Sequence, residues 1–282
     1  MSAAGTGTWR AVVAALDAAT LLRSRVSVYL HPLGGRPLLW HVLRALLDAP
    51  QPPQSITVLY DADDALDLGD SFPEASFRGV AEGDERRAVN AALDVAGMVV
   101  LVDAAAPLLG ATTIGRLLRA AAKGPAAVEA LTQPGRAVAL AGQGTELAAL
   151  DDPWASGSGS LVDPASRADA LRIADRHALS DASTALRDRL VRRHEAAGVT
   201  FLLPATTWLD VDVRIGADTM VYPGCVLEGA TTIGAECVIG PHSRVVEANI
   251  GPGAELKGWN YVSRVSIRNH AVLEAHERRA AD

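Results

Sequence analysis

The residues able to do chemistry are scattered along the chain. Its seven histidines, His31, His41, His177, His194, His242, His270 and His276, show no metal-ligand spacing. No Gly-x-Ser-x-Gly elbow offers a nucleophile. Asp61, Asp63 and Asp64 could face a cation, but no full calcium-loop pattern follows them, so a solvated acidic loop is expected. Cys225 and Cys237 are the only thiols. Both fall on small, inward positions of a repeat, on different faces, and read as buried structural thiols rather than a disulfide or metal pair. Gly5-Thr6-Gly7-Thr8 looks like a phosphate loop, yet such a loop follows a strand and opens a helix, and this one precedes the first strand. Arg187, Arg189, Arg192 and Arg193 form a basic face on a long helix, read as solvated surface, with anion binding as the alternative.

Behind these residues stand two kinds of element. The chain has 282 residues, 49% of them hydrophobic, enough for two domains with full cores. Its formal charge of −7 speaks against nucleic-acid binding. Nothing resembles a signal peptide and no apolar run reaches membrane length, so a soluble cytoplasmic protein without membrane insertion is expected. Strands are expected at Arg10–Leu16, Ser55–Tyr60 and Met98–Val102, with shorter ones at Ala126–Leu131, Ala137–Leu140 and Glu146–Leu150. Helices are expected at Leu38–Leu47, Glu85–Val95 and Thr113–Ala122 from their one-sided apolar spacing. This alternation argues an α/β domain with a mostly parallel sheet. Trp154–Asp163, with its Ser-Gly-Ser-Gly-Ser run, reads as a flexible connector, and Ser180–Ala197 as a long helix.

The second element is a repeat. Leu209, Ile215, Val221, Leu227, Ile233, Ile239 and Val245 recur every sixth residue, and the small positions Val213, Thr219, Cys225, Thr231, Cys237 and Ser243 share that register. Ile-Gly pairs at Ile215-Gly216, Ile233-Gly234 and Ile239-Gly240 suggest glycine relieving the turns. This is the hexapeptide pattern of a short left-handed parallel β-helix, in which coils must stack because none buries its own interior. The step shortens to five at Val245–Ile250 and Val262–Ile267, and the coils are expected to run irregularly to about Leu273. The domain reading is residues 1–179 for the α/β domain, 180–199 for a linking helix, 200–275 for the β-helix and 276–282 for a charged tail.

Two stretches carry a family resemblance. Leu30-His31-Pro32-Leu33-Gly34-Gly35-Arg36-Pro37-Leu38-Leu39 resembles the segment after a nucleotide loop. Ala197-Gly198-Val199-Thr200, Pro204-Ala205-Thr206-Thr207 and Val221-Tyr222-Pro223-Gly224-Cys225 resemble an entry into a solenoid. Together they are similar to the bifunctional N-acetylglucosamine-1-phosphate uridyltransferase / glucosamine-1-phosphate acetyltransferase family of bacterial cell-wall synthesis. The resemblance implies a nucleotidyltransferase-like, Rossmann-like domain followed by the β-helix. It also implies a chemistry that joins a nucleoside triphosphate to a sugar phosphate with Mg²⁺ to produce UDP-N-acetylglucosamine.

The family's motif positions are eroded. Its Leu-Ala-Ala-Gly-x-Gly-Thr-Arg-Met loop falls on Ala14 to Leu22. The two glycines become Asp17 and Ala19, the Arg becomes Leu21, and the Lys that follows becomes Val28. Asp17 sets a like charge beside the phosphates, and Ala19 hinders the close approach of backbone N–H groups. Thr20 and Gly135, the latter in Pro134-Gly135-Arg136, remain as nucleotide-binding remnants. Both metal ligands read as alanine, at Ala105 and Ala174, with Asp103 and Asp175 as the substitutes at hand. The base-recognition motif maps onto Gly83 to Ala88 with little retained. The sugar-binding region is short, and the coils that would carry the acetyltransferase site are largely missing.

A truncated, catalytically inactive relative follows as the expectation, without cofactor. It would act through a homotrimer formed by the β-helix, or through an active relative or another sugar-nucleotide enzyme. The alternatives are a weak or altered sugar-1-phosphate nucleotidyltransferase that uses Mg²⁺ on Asp103 or Asp175, and an acyltransferase whose site is completed between subunits.

Overall fold

A computed structural model of the chain describes residues 8–16, 22–64, 66, 68 and 71–281. It divides into two units, Met1–His31 with Pro37–Ala182, and Pro32–Arg36 with Ser183–Asp282.

In the first unit, β1 (Trp9–Ala15), β2 (Ser55–Asp61), β3 (Ala75–Val80), β4 (Met98–Asp103), β5 (Ala126–Glu129), β6 (Ala137–Gln143) and β7 (Ser160–Leu161) make one sheet in the order β3-β2-β1-β4-β6-β5-β7. It is mostly parallel, as expected. Only β6 runs antiparallel to its neighbours. On one face, Val12, Leu59, Val99 and Leu101 pack with Val89 and Leu93 of α2 (Glu85–Leu93) and with Leu147. The alternate residues Val13, Val58, Val100 and Val102 are fully buried on the other face. This two-sided burial is why the strands read as unbroken apolar runs. Helices α1 (Leu38–Leu47) and α3 (Ala111–Ala121) fall where the apolar spacing puts them.

Two expectations about this unit need correction. Glu146–Leu150 is not a strand. Gly144–Ala148 is a short helix, α4, because Leu147 and Leu150 are spaced three apart and meet the core on one helical side. The Gly/Ser run is not a loose connector: Ser160 and Val162 donate to Pro125 and Ala127 carbonyls at 2.9 and 2.8 Å, which builds β7. Its small residues are there for contact, since a Cβ on Gly159 would lie 2.7 Å from the Pro125 carbonyl. The sequence reading also passed over β3, an edge strand whose partly exposed pattern carries little apolar signal.

Helix α5 (Arg176–Ala196) starts four residues before Ser180, where Asp175 Oδ1 accepts the Ala178 N–H at 2.8 Å as a cap. From Ser183 it belongs to the second unit. There Pro32–Arg36 is also found: Gly34 O accepts the Val211 N–H at 3.0 Å, and Arg36 Nε meets Asp212 at 2.6 Å.

The rest of the second unit is the left-handed β-helix, three parallel sheets of five, five and four short strands. The aliphatic and small repeat positions are all buried, including Cys225 and Cys237, both free. Burial pushes the Cys225 thiol up to about 11, so it stays protonated and inert. The five-residue steps are tight corners. Val226 pairs with Arg244, eighteen residues on, but Arg244 pairs with Tyr261, seventeen on. Residues 276–282, read as a tail, include the strand Arg278–Ala280, which pairs with Tyr261–Ser263.

The Ile-Gly pairs have a different cause from the one expected. None of the Ile-Gly glycines has a left-handed φ; the left-handed corners are held by non-glycine residues, among them Asp218, Glu236 and His242, and by other glycines, among them Gly224 and Gly253. The glycines sit where coils touch, and a Cβ on Gly234 would lie 2.5 Å from the backbone nitrogen of Pro252 in the next coil. The late histidines prove to be corner residues too. His242, Trp259 and His276 stack in one column with ring centroids 5.5 Å apart.

Two outcomes are expected. Gly234→Ala must push two coils apart and should lower stability by about 1–3 kcal/mol in denaturant titration. His194 is buried, and that burial, reinforced by Arg193 and opposed by a hydrogen bond to the Val213 backbone, holds its imidazole below the ordinary 6.5. The unfolded chain therefore takes up this proton first, and stability should fall as pH drops below about 6.5. His194→Gln should flatten that part of the melting-temperature profile between pH 7 and 5; an unchanged slope would assign it elsewhere.

Candidate ligand cleft

The strand order reverses at β1, with β2 on one side and β4 on the other, and the carboxyl ends of β1 and β4 open a crevice there. A cleft of about 620 Å³ occupies that place. Ala14 reaches it from β1 and Leu16 from just past it, Asp103 from β4, Glu85, Arg86 and Val89 from α2, Arg136 from just before β6, and Trp154 from the segment after α4.

Asp103 is the centre of the floor. It is the last residue of β4 and only 2% exposed. Its Oδ1 accepts the Ala105 N–H at 2.8 Å, while Oδ2 accepts Arg172 Nε at 2.6 Å and an Arg136 η-nitrogen at 3.3 Å. Arg172 is equally buried, and one of its η-nitrogens also donates to Gln133 Oε1 at 3.4 Å. Arg136 lies over the Trp154 ring, 5.4 Å from its centroid. The Trp154 backbone is held in turn, its main-chain N–H donating to Asp152 Oδ1 at 2.8 Å and its carbonyl accepting the Ala137 N–H at 2.6 Å.

The two positions matched to metal ligands do converge. Ala105 O accepts the Ile173 N–H at 2.7 Å, and Ala174 is the next residue. Of the substitutes, Asp103 has both oxygens engaged as described, and Asp175 is exposed and caps α5. Val28 is buried at 1% exposure in a 3-10 turn and presents nothing to a ligand. Gly135, left-handed at φ +86°, gives its N–H to Glu129 at 2.6 Å, and its neighbour Arg136 is the residue that enters the cleft. The stretch matched to base recognition does line the cleft, through Glu85 and Arg86. Asp17, Ala19, Thr20 and Leu21 lie outside the described residues. Arg172 and Trp154 were not picked out from sequence as site residues, and Arg136 appeared only as a member of the Pro134-Gly135-Arg136 turn. Arg172 could have been, as a lone cation between Leu171 and Ile173.

The Asp103–Arg172 contact has a measurable strength. Asp103→Asn leaves a buried guanidinium without its counter-charge, and a loss of about 3–5 kcal/mol is expected in equilibrium unfolding. A loss below 1 kcal/mol would mean that water or another carboxylate compensates Arg172.

Residues 212–246 match the family described as Bacterial transferase hexapeptide (six repeats). The bifunctional protein GlmU of Kineococcus radiotolerans is 32% identical over 86% of this chain and 62% of its own length. That of Mycolicibacterium smegmatis is 46% identical over 30% of this chain and 17% of its own, and that of Geobacillus thermodenitrificans 43% over 39% and 21%. The chain thus spans less than two thirds of each of these relatives. Among the described residues no helix is long and apolar enough to cross a membrane. With a mostly parallel α/β sheet and a hexapeptide β-helix, the chain is similar to GlmU across both.

Proposed function

We propose that this GlmU-like chain keeps the nucleotidyltransferase scaffold without its metal-dependent transfer, and acts by association. It would form a homotrimer through the β-helix and engage an active relative or another sugar-nucleotide enzyme. One observation carries the reading: the strand-end carboxylate, Asp103, has both oxygens engaged by N–H donors, two of them guanidinium groups. Mg²⁺ needs several oxygen ligands in near-octahedral array. To bind here it would have to displace Arg172 from a buried pair, and the alanines at 105 and 174 offer no side-chain oxygen. The residues present do not fit the ion. Without it, the charge that builds up when pyrophosphate leaves has no divalent partner.

Calorimetric titration with UTP, with and without Mg²⁺, tests this. No Mg²⁺-dependent heat at millimolar nucleotide, no release of pyrophosphate with N-acetylglucosamine 1-phosphate, and a trimer by light scattering are the expected results. Micromolar binding that requires Mg²⁺ would instead favour an altered nucleotidyltransferase using Asp103 or Asp175. Thermal protection by acetyl-coenzyme A would favour the acyltransferase.

A further inference from the structure

We propose that the cavity between the last turn of α5 and the first coil of the β-helix binds a phosphate group, held between Arg193 and Arg214. Every residue that lines it lies in the second unit, so the inference is independent of what becomes of the cleft on the sheet.

The cavity holds about 360 Å³. Arg193 and His194 face it from α5, and Asp212, Arg214 and Ile215 from the first coil. Its carboxylate is already engaged, since Asp212 takes Arg36 Nε at 2.6 Å. The two guanidinium groups are not matched in this way. From Arg193 an η-nitrogen makes one long contact, with the Val211 carbonyl at 3.3 Å. Arg214 is exposed and has no partner among the described residues. Three other cations of the β-helix do have one: Arg244 meets Glu228 at 2.6 Å, Lys257 meets Glu274 at 2.8 Å and Arg264 meets Glu247 at 2.9 Å. The basic face of α5 is not uniformly free either, for Arg187 holds Asp188 at 2.6 Å and the Ala205 carbonyl at 3.0 Å. Charge without a counter-charge is therefore concentrated at this cavity.

A second observation points to a ligand. His194 is only 6% exposed, and its Nε2 has no hydrogen-bond partner. A bond to the Val213 backbone ties the ring to the coil, and burial keeps the imidazole neutral at pH 7. The orphaned nitrogen is then an acceptor that lacks a donor. Leaving a buried polar atom so costs about 1–3 kcal/mol, and in native proteins such an atom marks a missing partner. A carboxylate has no proton to give it. Hydrogen phosphate has one, together with charged oxygens for two guanidinium groups. The carbonyl end of α5 opposes any anion, but its partial charge is only about half a unit against two full cations. The apolar side chains of Val211 and Ile215 leave a wall for the organic part of an ester.

The experiment uses the full chain in EDTA at low salt, titrated calorimetrically with inorganic phosphate, glycerol 3-phosphate and acetate. One of the two phosphates should bind, and acetate should not. The tighter phosphate tells whether the ligand is the free ion or an ester. Arg193→Gln and Arg214→Gln, both at exposed positions, should keep the wild-type melting temperature and each weaken phosphate binding by about tenfold or more. Arg192→Gln, a neighbour that does not line the cavity, should leave binding unchanged. If neither phosphate binds at millimolar concentration, the inference is overturned. Equal binding by wild type and a folded double variant, Arg193→Gln with Arg214→Gln, also overturns it, because the phosphate then sits elsewhere. A loss in Arg192→Gln as large as in Arg193→Gln overturns it too, by reducing the site to diffuse surface charge. None of these results touches the reading that the transfer chemistry is lost.

Discussion

A carboxylate and a guanidinium taken out of water together, Asp103 and Arg172, join the end of the central strand β4 to the segment that leads into α5. Removing two charges from water is expensive, and the pair offsets that cost only with close geometry and further hydrogen bonds. Those are present in the Ala105 N–H, the Gln133 amide oxygen and the backbone bond between Ile173 and Ala105. The cleft floor depends on this arrangement. So does the position of Arg136, and so does the character of the site, because a carboxylate that serves one buried cation is not at the disposal of another.

The β-helix answers a different constraint. Its stability is close to a sum over coils, each meeting only its neighbours. Backbone therefore lies against backbone along the columns, and side-chain size is set by what the adjacent coil leaves room for. Gly234 beneath Pro252 shows this. The corners are more permissive, and strained left-handed residues persist there because each corner N–H is tied to a carbonyl one coil below, as His242 is to Pro223 and Trp259 to Pro241.

Much of this fold was legible because its periods are strong. The aliphatic repeat marked the β-helix and even its two short corners, and α1 was found to the residue. The errors came where local pattern and tertiary use part company. Leu147 and Leu150 look like strand residues until the chain turns into α4, and the Gly/Ser run looks loose until the close approach of Pro125 is seen. The neighbourhood of Ala105 and Ala174 was not legible as such, and Arg172 and Arg136, which meet Asp103, come from positions that no spacing links to it. A long-range ion pair leaves no periodic trace.

The segment Pro32–Arg36 gives the chain a timetable. Arg36 and its partner Asp212 are 176 residues apart. At ribosomal rates of about 5–20 residues per second, roughly 9–35 s separate their synthesis. β1, β2 and β4 can pair long before that, since all are made early. Yet Gly34 and Arg36 have partners at Val211 and Asp212, in the first coil of the β-helix, and wait for it. The nascent chain thus holds an early sheet with one strip still unclaimed, and the docking of that strip onto the first coil is timed by translation.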